Sequence, residues 1–151
     1  MHLTSRREFV AAASVTCALV VCGDALAADA PPAGAVEIGT TSDYPADAIS
    51  DRFAKSHKFL VVRTGARIVA VSNVCTHKSC TVRPVDDTLF CKCHKSSFET
   101  SGKRTKGPAK RSLPHFGISL NAETNVLSVT PTEHYEESDW GDARAFVEIS
   151  A

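Results

Sequence analysis

Short runs of apolar residues, many of them β-branched, alternate with polar turns along most of this chain. Two pairs of such runs, 58–63 with 67–71 and 116–120 with 126–129, are each joined by a short turn, which predicts two β-hairpins. Residues Thr64 and Gly65 form the predicted turn of the first pair. Further strands are predicted at 89–90, 97–100 and 145–149, and a single short helix at 46–54. The pattern therefore predicts a β-rich domain.

Length and composition are those of one small globular domain. The chain has 151 residues, of which 43% are hydrophobic and 23% charged. A bound metal or a disulfide would help to stabilise a domain of this size. The net charge is zero with histidines neutral, so overall charge identifies no partner. Two Tyr, one Trp and the lack of a basic helix-turn-helix pattern argue against nucleic-acid binding.

The N-terminus has the pattern of a targeting segment. A twin-arginine pair, Arg6 and Arg7, precedes a largely apolar run at 10–22 and an A-x-A-like site at 25–27. The run is shorter than the roughly 20 residues of a comfortable membrane span. We therefore expect a signal at 1–27, export to the periplasm by the twin-arginine route, and a mature chain starting near 28. The alternative is an uncleaved anchor on the periplasmic side of the inner membrane.

Two cysteine–histidine boxes carry the chemistry. The first contains Cys75-x-His77 and the second Cys91-x-x-His94, each between predicted strands. Two thiolates and two imidazoles on adjacent loops can hold a [2Fe–2S] cluster, with the cysteines on one iron and the histidines on the other. A zinc site is one alternative, although structural zinc sites usually combine C-x2-4-C with H-x3-5-H. A disulfide-stapled exported domain with incidental histidines is another.

The cysteine count is consistent with a cluster. The chain has six cysteines, and cleavage near residue 27 would remove Cys17 and Cys22. If Cys75 and Cys91 are ligands, one further pair remains, Cys80 and Cys93. In an oxidising compartment that pair can form a disulfide, closing a loop of about 14 residues worth about 3 kcal/mol.

These boxes, their order and the extra cysteines resemble the Rieske [2Fe–2S] family over about residues 59–129. The resemblance implies an all-β fold, a stack of antiparallel sheets with a small cluster-binding subdomain at about 75–110. That subdomain lies within a domain spanning 58–151, which is preceded by an N-terminal part at 28–57. It implies the following roles: Cys75 and Cys91 on the inner iron, His77 and His94 on the outer iron, and Cys80 with Cys93 as the disulfide of the high-potential branch. That branch includes cytochrome bc-type complexes and some arsenite-oxidase small subunits.

Three further positions match or depart from the family pattern. Ser96 matches the serine that donates a hydrogen bond to a bridging sulfide, and residues 107–109 match the proline loop that covers the cluster. Phe98 stands where high-potential members carry a tyrosine that donates to a ligand sulfur. Because phenylalanine cannot donate, we expect a reduction potential between those of the tyrosine-bearing members and the oxygenase ferredoxins.

Charge favours a protein partner over a quinol. Lys78 and Lys95 follow the two histidines, where quinol-oxidising members usually have an apolar residue and a glycine. Segment 78–111 holds nine Lys or Arg and three acids, whereas 121–142 holds six acids and no Lys or Arg. This predicts either a charge dipole with its basic end at the cluster or a mixed solvated surface. We expect a redox partner with an acidic docking face, such as a c-type cytochrome or an oxidoreductase subunit.

The expected function is an exported carrier that transfers single electrons between partner proteins. The first alternative is a small subunit of a larger oxidoreductase, either arsenite-oxidase-like or a quinol-oxidising cytochrome bc-like complex. The second is a redox sensor switched by a reducible Cys80–Cys93 bridge. His57, His115 and His134 lie outside any ligand pattern, so we expect them to pack against neighbours or face solvent.

Overall fold

Two antiparallel sheets make up the protein, whose computed structural model describes residues 31–149. The first is seven-stranded with order β1-β10-β9-β4-β3-β2 and β11 added to β4, and the second is four-stranded with order β5-β6-β7-β8. The strands are β1 Val36–Thr40, β2 Ile49–Ser50, β3 Phe59–Thr64, β4 Arg67–Ser72, β5 Val82–Val85, β6 Thr88–Cys91, β7 Ser96–Glu99, β8 Arg104–Lys106, β9 His115–Asn121, β10 Val126–Tyr135 and β11 Val147–Glu148. Two 3-10 turns lie at Thr41–Asp43 and Glu137–Asp139.

Both predicted hairpins are confirmed. Strands β3 and β4 pair from Phe59 opposite Ser72 to Thr64 opposite Arg67, so the turn is one residue later than predicted. Gly65 adopts φ +57° there, a left-handed conformation that glycine adopts without steric cost. Strands β9 and β10 form the second hairpin, and β10 continues beyond the predicted 129 to residue 135.

The predicted helix at 46–54 is wrong. Ile49 and Ser50 instead form strand β2, which pairs with Val62 and Val61 at the edge of the larger sheet. Turns occupy most of the following residues up to 57. A strand edge that offers unpaired backbone groups outweighs the weak helix preference of this segment. The predicted last strand at 145–149 is confirmed in shorter form as β11, which pairs with β4.

The β3–β4 hairpin separates two apolar cores. Phe59 and Val61 face a core that includes Ile68, Phe116 and Leu127. The alternate residues Leu60 and Val62 face a second core shared with the smaller sheet. The members of that second core are Leu60, Val62, Val69, Val71, Cys75, Val82, Leu89, Cys91, Phe98, Ala109 and Leu113. An uninterrupted apolar run at 59–62 is typical of a strand buried on both faces.

The two candidate ligand loops project from this second core. The first box lies between β4 and β5, and the second between β6 and β7. Within residues 31–149, no helix is long and apolar enough to cross a membrane. The predicted signal at 1–27 lies outside the described residues.

Candidate metal centre

The first loop is a compact turn closed on itself. Val74 pairs with Thr81 across its base, and the N–H of Cys75 donates to the Cys80 carbonyl at 2.8 Å. The N–H of Ser79 donates to the Cys75 carbonyl at 2.9 Å. These hydrogen bonds satisfy backbone polar groups of the loop. The turn therefore fixes the backbone positions of Cys75 and His77.

The second loop is the tight connection between β6 and β7. Cys91 is the last residue of β6 and lies opposite Ser96, the first residue of β7. Lys95 adopts φ +59°, which a non-glycine residue adopts at a cost of about 1 kcal/mol. Glycine adopts this left-handed conformation without that cost.

Two free, buried thiols meet between the loops. Cys75 and Cys91 are 2% and 1% exposed, and neither is in a disulfide. Burial, followed by the neighbouring Cys75 thiol, raises the pKa of Cys91, whereas the backbone N–H groups of Cys93 and His94 act in the opposite direction. Such sulfurs become thiolates when a metal cation supplies the compensating charge.

Two imidazoles lie together in the same loops. The His77 and His94 ring centroids are 4.6 Å apart with an interplanar angle of 89°. Desolvation, followed by the charges of His94 and Lys78, lowers the pKa of His77, which favours the neutral, metal-binding form. Nδ1 of His77 is buried and, within the described residues, has no hydrogen-bond partner. An orphaned ring nitrogen beside a second imidazole and two free thiols fits a cluster with mixed ligands.

The two loops are joined covalently. Cys80 and Cys93 form a disulfide, as the resemblance implied. The Sγ atoms of Cys80, Cys91 and Cys93 lie within 4.8 Å of one another. Since two of these sulfurs bond each other, the group is a disulfide beside the free Cys91 thiol and not a separate metal site.

A third segment covers the centre. The N–H of Ala109 donates to the Ser96 hydroxyl oxygen at 3.1 Å, which leaves the hydroxyl proton of Ser96 available for another acceptor. Gly107 has φ +95°, and a side chain there would come within 2.5 Å of the Ser96 Cα atom. Arg104 donates to the carbonyls of Ala109 and Gly107, the latter at 2.9 Å. Segment 107–109 is thus packed directly on the second loop.

The acidic segment reaches the same region, which the sequence did not predict. Glu136 forms an ion pair with Arg111 at 3.0 Å, and the Ser112 hydroxyl donates to Glu137 at 2.6 Å. The hydroxyl of Thr76, between two candidate ligands, donates to the Arg111 carbonyl at 2.6 Å. Glu136 thus pairs with a cation of the basic segment 78–111, so the two oppositely charged segments meet at this point. These contacts join residues 25 to 35 positions apart and leave no local sequence signal.

The three other histidines of residues 31–149 pack against aromatic rings, as expected. His115 stacks on Trp140 with ring centroids 4.2 Å apart. His134 lies 4.9 Å from the Phe116 ring, and His57 lies 6.0 Å from that of Phe59.

Comparison with known proteins identifies a family. Residues 34–117 match the model of the Rieske [2Fe-2S] domain. The chain is 32% identical over 94 residues to the cytochrome b6-f complex iron-sulfur subunit of Chlorobaculum thiosulfatiphilum, covering 60% of this chain and 51% of that protein. It is 29% identical over 107 residues to the subunit of the same name from Chlorobaculum tepidum, covering 66% and 59% respectively. The chain thus spans little more than half the length of these relatives.

A solved structure is also similar. The crystal structure of the cyanobacterial plasma membrane Rieske protein from Synechocystis PCC 6803 aligns with 29% identity and a TM-score of 0.47, covering 62% of this chain and 97% of that one. The family model spans more than half of the sequence and includes both boxes. The chain belongs to the Rieske [2Fe–2S] domain family, and its cofactor is a [2Fe–2S] cluster.

Proposed function

We propose that this protein is an exported carrier of single electrons, with the cluster held by Cys75, His77, Cys91 and His94. The observation that carries the proposal is the meeting of two free buried thiols and two contacting imidazoles in two loops joined by a disulfide. The burial of the thiols supports placing the cysteines on an inner iron, and the greater exposure of the histidines supports placing them on an outer iron. When bound, the cluster accepts or releases one electron.

The surrounding residues set the affinity for that electron. Although burial raises the pKa of the Cys91 thiol, the backbone N–H groups of Cys93 and His94 favour its thiolate. The Ser96 hydroxyl accepts from Ala109, which leaves its proton free for a sulfide. Hydrogen bonds to sulfur stabilise added negative charge and raise the potential. Phe98 is fully buried in the second core, which also contains Cys75 and Cys91, and its side chain has no hydrogen-bond donor.

The partner is proposed to be a redox protein with an acidic docking face, such as a c-type cytochrome. Lys78 and Lys95 are exposed and directly follow the two candidate histidine ligands. Neither lysine is in an ion pair within the described part of the chain. Two free ammonium groups beside the ligands favour a polar, transient protein contact over an apolar quinol pocket.

The proposed location is the periplasm, reached by the twin-arginine route. The Cys80–Cys93 disulfide supports an oxidising compartment. The alternative location is the periplasmic side of the inner membrane, with segment 1–27 retained as an anchor. Mass spectrometry of the mature N-terminus distinguishes these two outcomes.

A second candidate function is a subunit of a larger oxidoreductase. It is favoured by relatives that are named cytochrome b6-f complex iron-sulfur subunits. An arsenite-oxidase-like assembly belongs to the same class of alternative. A subunit would co-purify with its complex, whereas a carrier would elute as a monomer and exchange electrons with small cytochromes.

Electron paramagnetic resonance of the dithionite-reduced protein, followed by redox titration of the signal, tests the proposal. We expect a one-electron transition in the wild type and complete loss of the signal in His77→Ala and His94→Ala. His57→Ala and His134→Ala are matched controls that should keep the signal. A colourless, iron-free protein, or a signal that survives both ligand substitutions, would contradict the ligand assignment.

A further inference from the structure

A basic groove lies on the flank of the first ligand loop, away from the two histidines. It has a volume of about 620 Å³ and lies between the turns at 51–58 and strand β5. Its apolar lining includes Leu60, Val82 and Pro84. Its charged lining comprises four cations and one acid: Arg52, Lys55, Lys58, Arg83 and Asp51.

The cations of this groove form no ion pair within residues 31–149. In the described residues, ion pairs involve Arg67, Arg111 and Arg144, and none involves a groove cation. Arg52 lies over the Phe53 ring at 5.4 Å, while Lys55, Lys58 and Arg83 are exposed. A groove with an apolar floor and a surplus of unpaired positive charge is complementary to an anionic, partly apolar ligand.

The groove is rigidly tied to the first ligand loop through one residue. The N–H of Asn73 donates to the Lys58 carbonyl at 3.0 Å, and its side-chain amide donates to the Ala54 carbonyl at 3.0 Å. Its own carbonyl accepts the N–H of Val82 at 2.8 Å. Asn73 therefore links both walls of the groove and lies two residues before Cys75.

Lys58 connects this groove to the candidate electron-transfer centre. It adopts φ +63°, a strained conformation for lysine, and the bond from Asn73 fixes its carbonyl. It also lines a second groove of about 510 Å³, which includes Cys75 and His77. A chain segment lying in the basic groove would thus approach the centre from its side.

The electrostatic surroundings limit where such a segment can lie. Beyond Pro84, the charged lining of the next groove comprises three acids and one cation: Asp47, Asp86, Asp87 and Arg63. An anionic segment is therefore repelled at that end and attracted towards Lys58. The charge along the surface thus changes from negative beyond Pro84 to positive at Lys58, which favours binding of an anionic segment on the side towards the centre.

We propose that the basic groove seats an extended, acidic segment of the redox partner, one with apolar residues among its carboxylates. This inference rests on the proposed function, in which the partner is an acidic protein. It adds a docking position on the flank of the centre, separate from the lysines next to the histidine ligands.

The test uses the cluster-loaded protein and a fluorescein-labelled peptide of four glutamates and two leucines, followed by fluorescence anisotropy. Binding at low ionic strength should weaken as salt rises. Lys58→Asn, which tolerates the left-handed conformation, and Arg83→Gln should each weaken binding about two- to fivefold. Asp51→Asn should tighten it, a result that a merely damaged fold would not give. Lys103→Gln is the control, since Lys103 lies outside the groove.

Two outcomes would overturn the proposal. One is binding that depends on Lys78 and Lys95 but is unchanged in the groove variants. The other is failure of the peptide to bind while vesicles of anionic phospholipid bind in a manner that depends on Lys58 and Arg83. The paramagnetic signal and its midpoint are measured on the same variants, so loss of the proposed electron transfer is distinguished from loss of docking.

Discussion

The two sheets are stabilised in different ways. The larger sheet has strands of up to ten residues and a core with three phenylalanines, Phe53, Phe59 and Phe116. The smaller sheet has strands of three or four residues, and all three residues of β8 are exposed. Its core includes Cys75 and Cys91, and its loops are joined by a disulfide. Burial of apolar surface therefore suffices for the first sheet, whereas the second also depends on sulfur chemistry.

Truncation of a side chain in the core that contains Phe59 should cause the largest loss of stability. Phe59 is fully buried, and its ring lies 5.3 Å from Phe53 and 5.9 Å from Phe116. Phe59→Ala should reduce the free energy of unfolding by about 3–5 kcal/mol, measured by denaturant titration. Val85→Ala, at a side chain 41% exposed, is the control and should change it little. A loss below about 1 kcal/mol for Phe59→Ala would show that the larger sheet does not depend on this core.

Removal of the disulfide should affect the smaller sheet alone. The double variant Cys80→Ser, Cys93→Ser opens a bridge with a sequence separation of 13. The chain-entropy relation gives a loss of about 3 kcal/mol. Amide hydrogen exchange should speed up in β5 to β8 and stay slow in β3, β4, β9 and β10. Equal acceleration of amide exchange in both sheets would contradict the prediction that the disulfide stabilises the smaller sheet alone.

The sequence predicted the parts of the molecule that depend on local pattern. Both hairpins follow from apolar runs with short turns, and the two boxes follow from residue type and spacing. The helix predicted at 46–54 failed because pairing of Ile49 with Val62 is a tertiary contact. The covering of Ser96 by segment 107–109 was suggested only by the family resemblance.

Features built from distant residues were not predictable from the sequence. The basic groove brings Lys58 and Arg83 together from opposite sides of the first box. The Arg111–Glu136 ion pair joins the acidic segment to the residues that follow the covering segment 107–109. Neither has a periodic or spaced signal, since each depends on how the sheets pack.

The substitution Phe98→Tyr tests whether a side chain of the second core can raise the reduction potential. Phe98 is fully buried in the same core as Cys75 and Cys91. If the Phe98→Tyr hydroxyl donates to a ligand sulfur, a bond worth about 0.5–1.5 kcal/mol raises the one-electron midpoint by about 20–60 mV. Redox titration of the paramagnetic signal measures it. Phe90→Tyr, half-buried on neighbouring β6, is the control, and no rise for Phe98→Tyr would reject the argument.

The smallest predicted effect concerns the junction between the two sheets. His115 belongs to β9 of the larger sheet, and its Nε2 lies 2.8 Å from the Ser101 carbonyl in the turn between β7 and β8. Burial lowers the pKa of His115, and the nearby Arg67 charge acts in the same direction. The residue therefore stays neutral in the folded protein at pH values where it is protonated in the unfolded chain. Its contribution to stability is complete above the ordinary pKa near 6.5 and is lost as the pH falls below it.

The comparison of wild type with His115→Gln isolates this contribution. Glutamine keeps an N–H donor for the Ser101 carbonyl but does not titrate, so the free energy of unfolding should fall less steeply between pH 7.5 and 5 in the variant. The other titrating groups are common to both proteins and cancel in the difference. Trp140, the only tryptophan of the chain, stacks on His115 and reports opening of the junction by its fluorescence. Identical slopes of the free energy of unfolding against pH in the two proteins would show that the junction does not respond to protonation of His115.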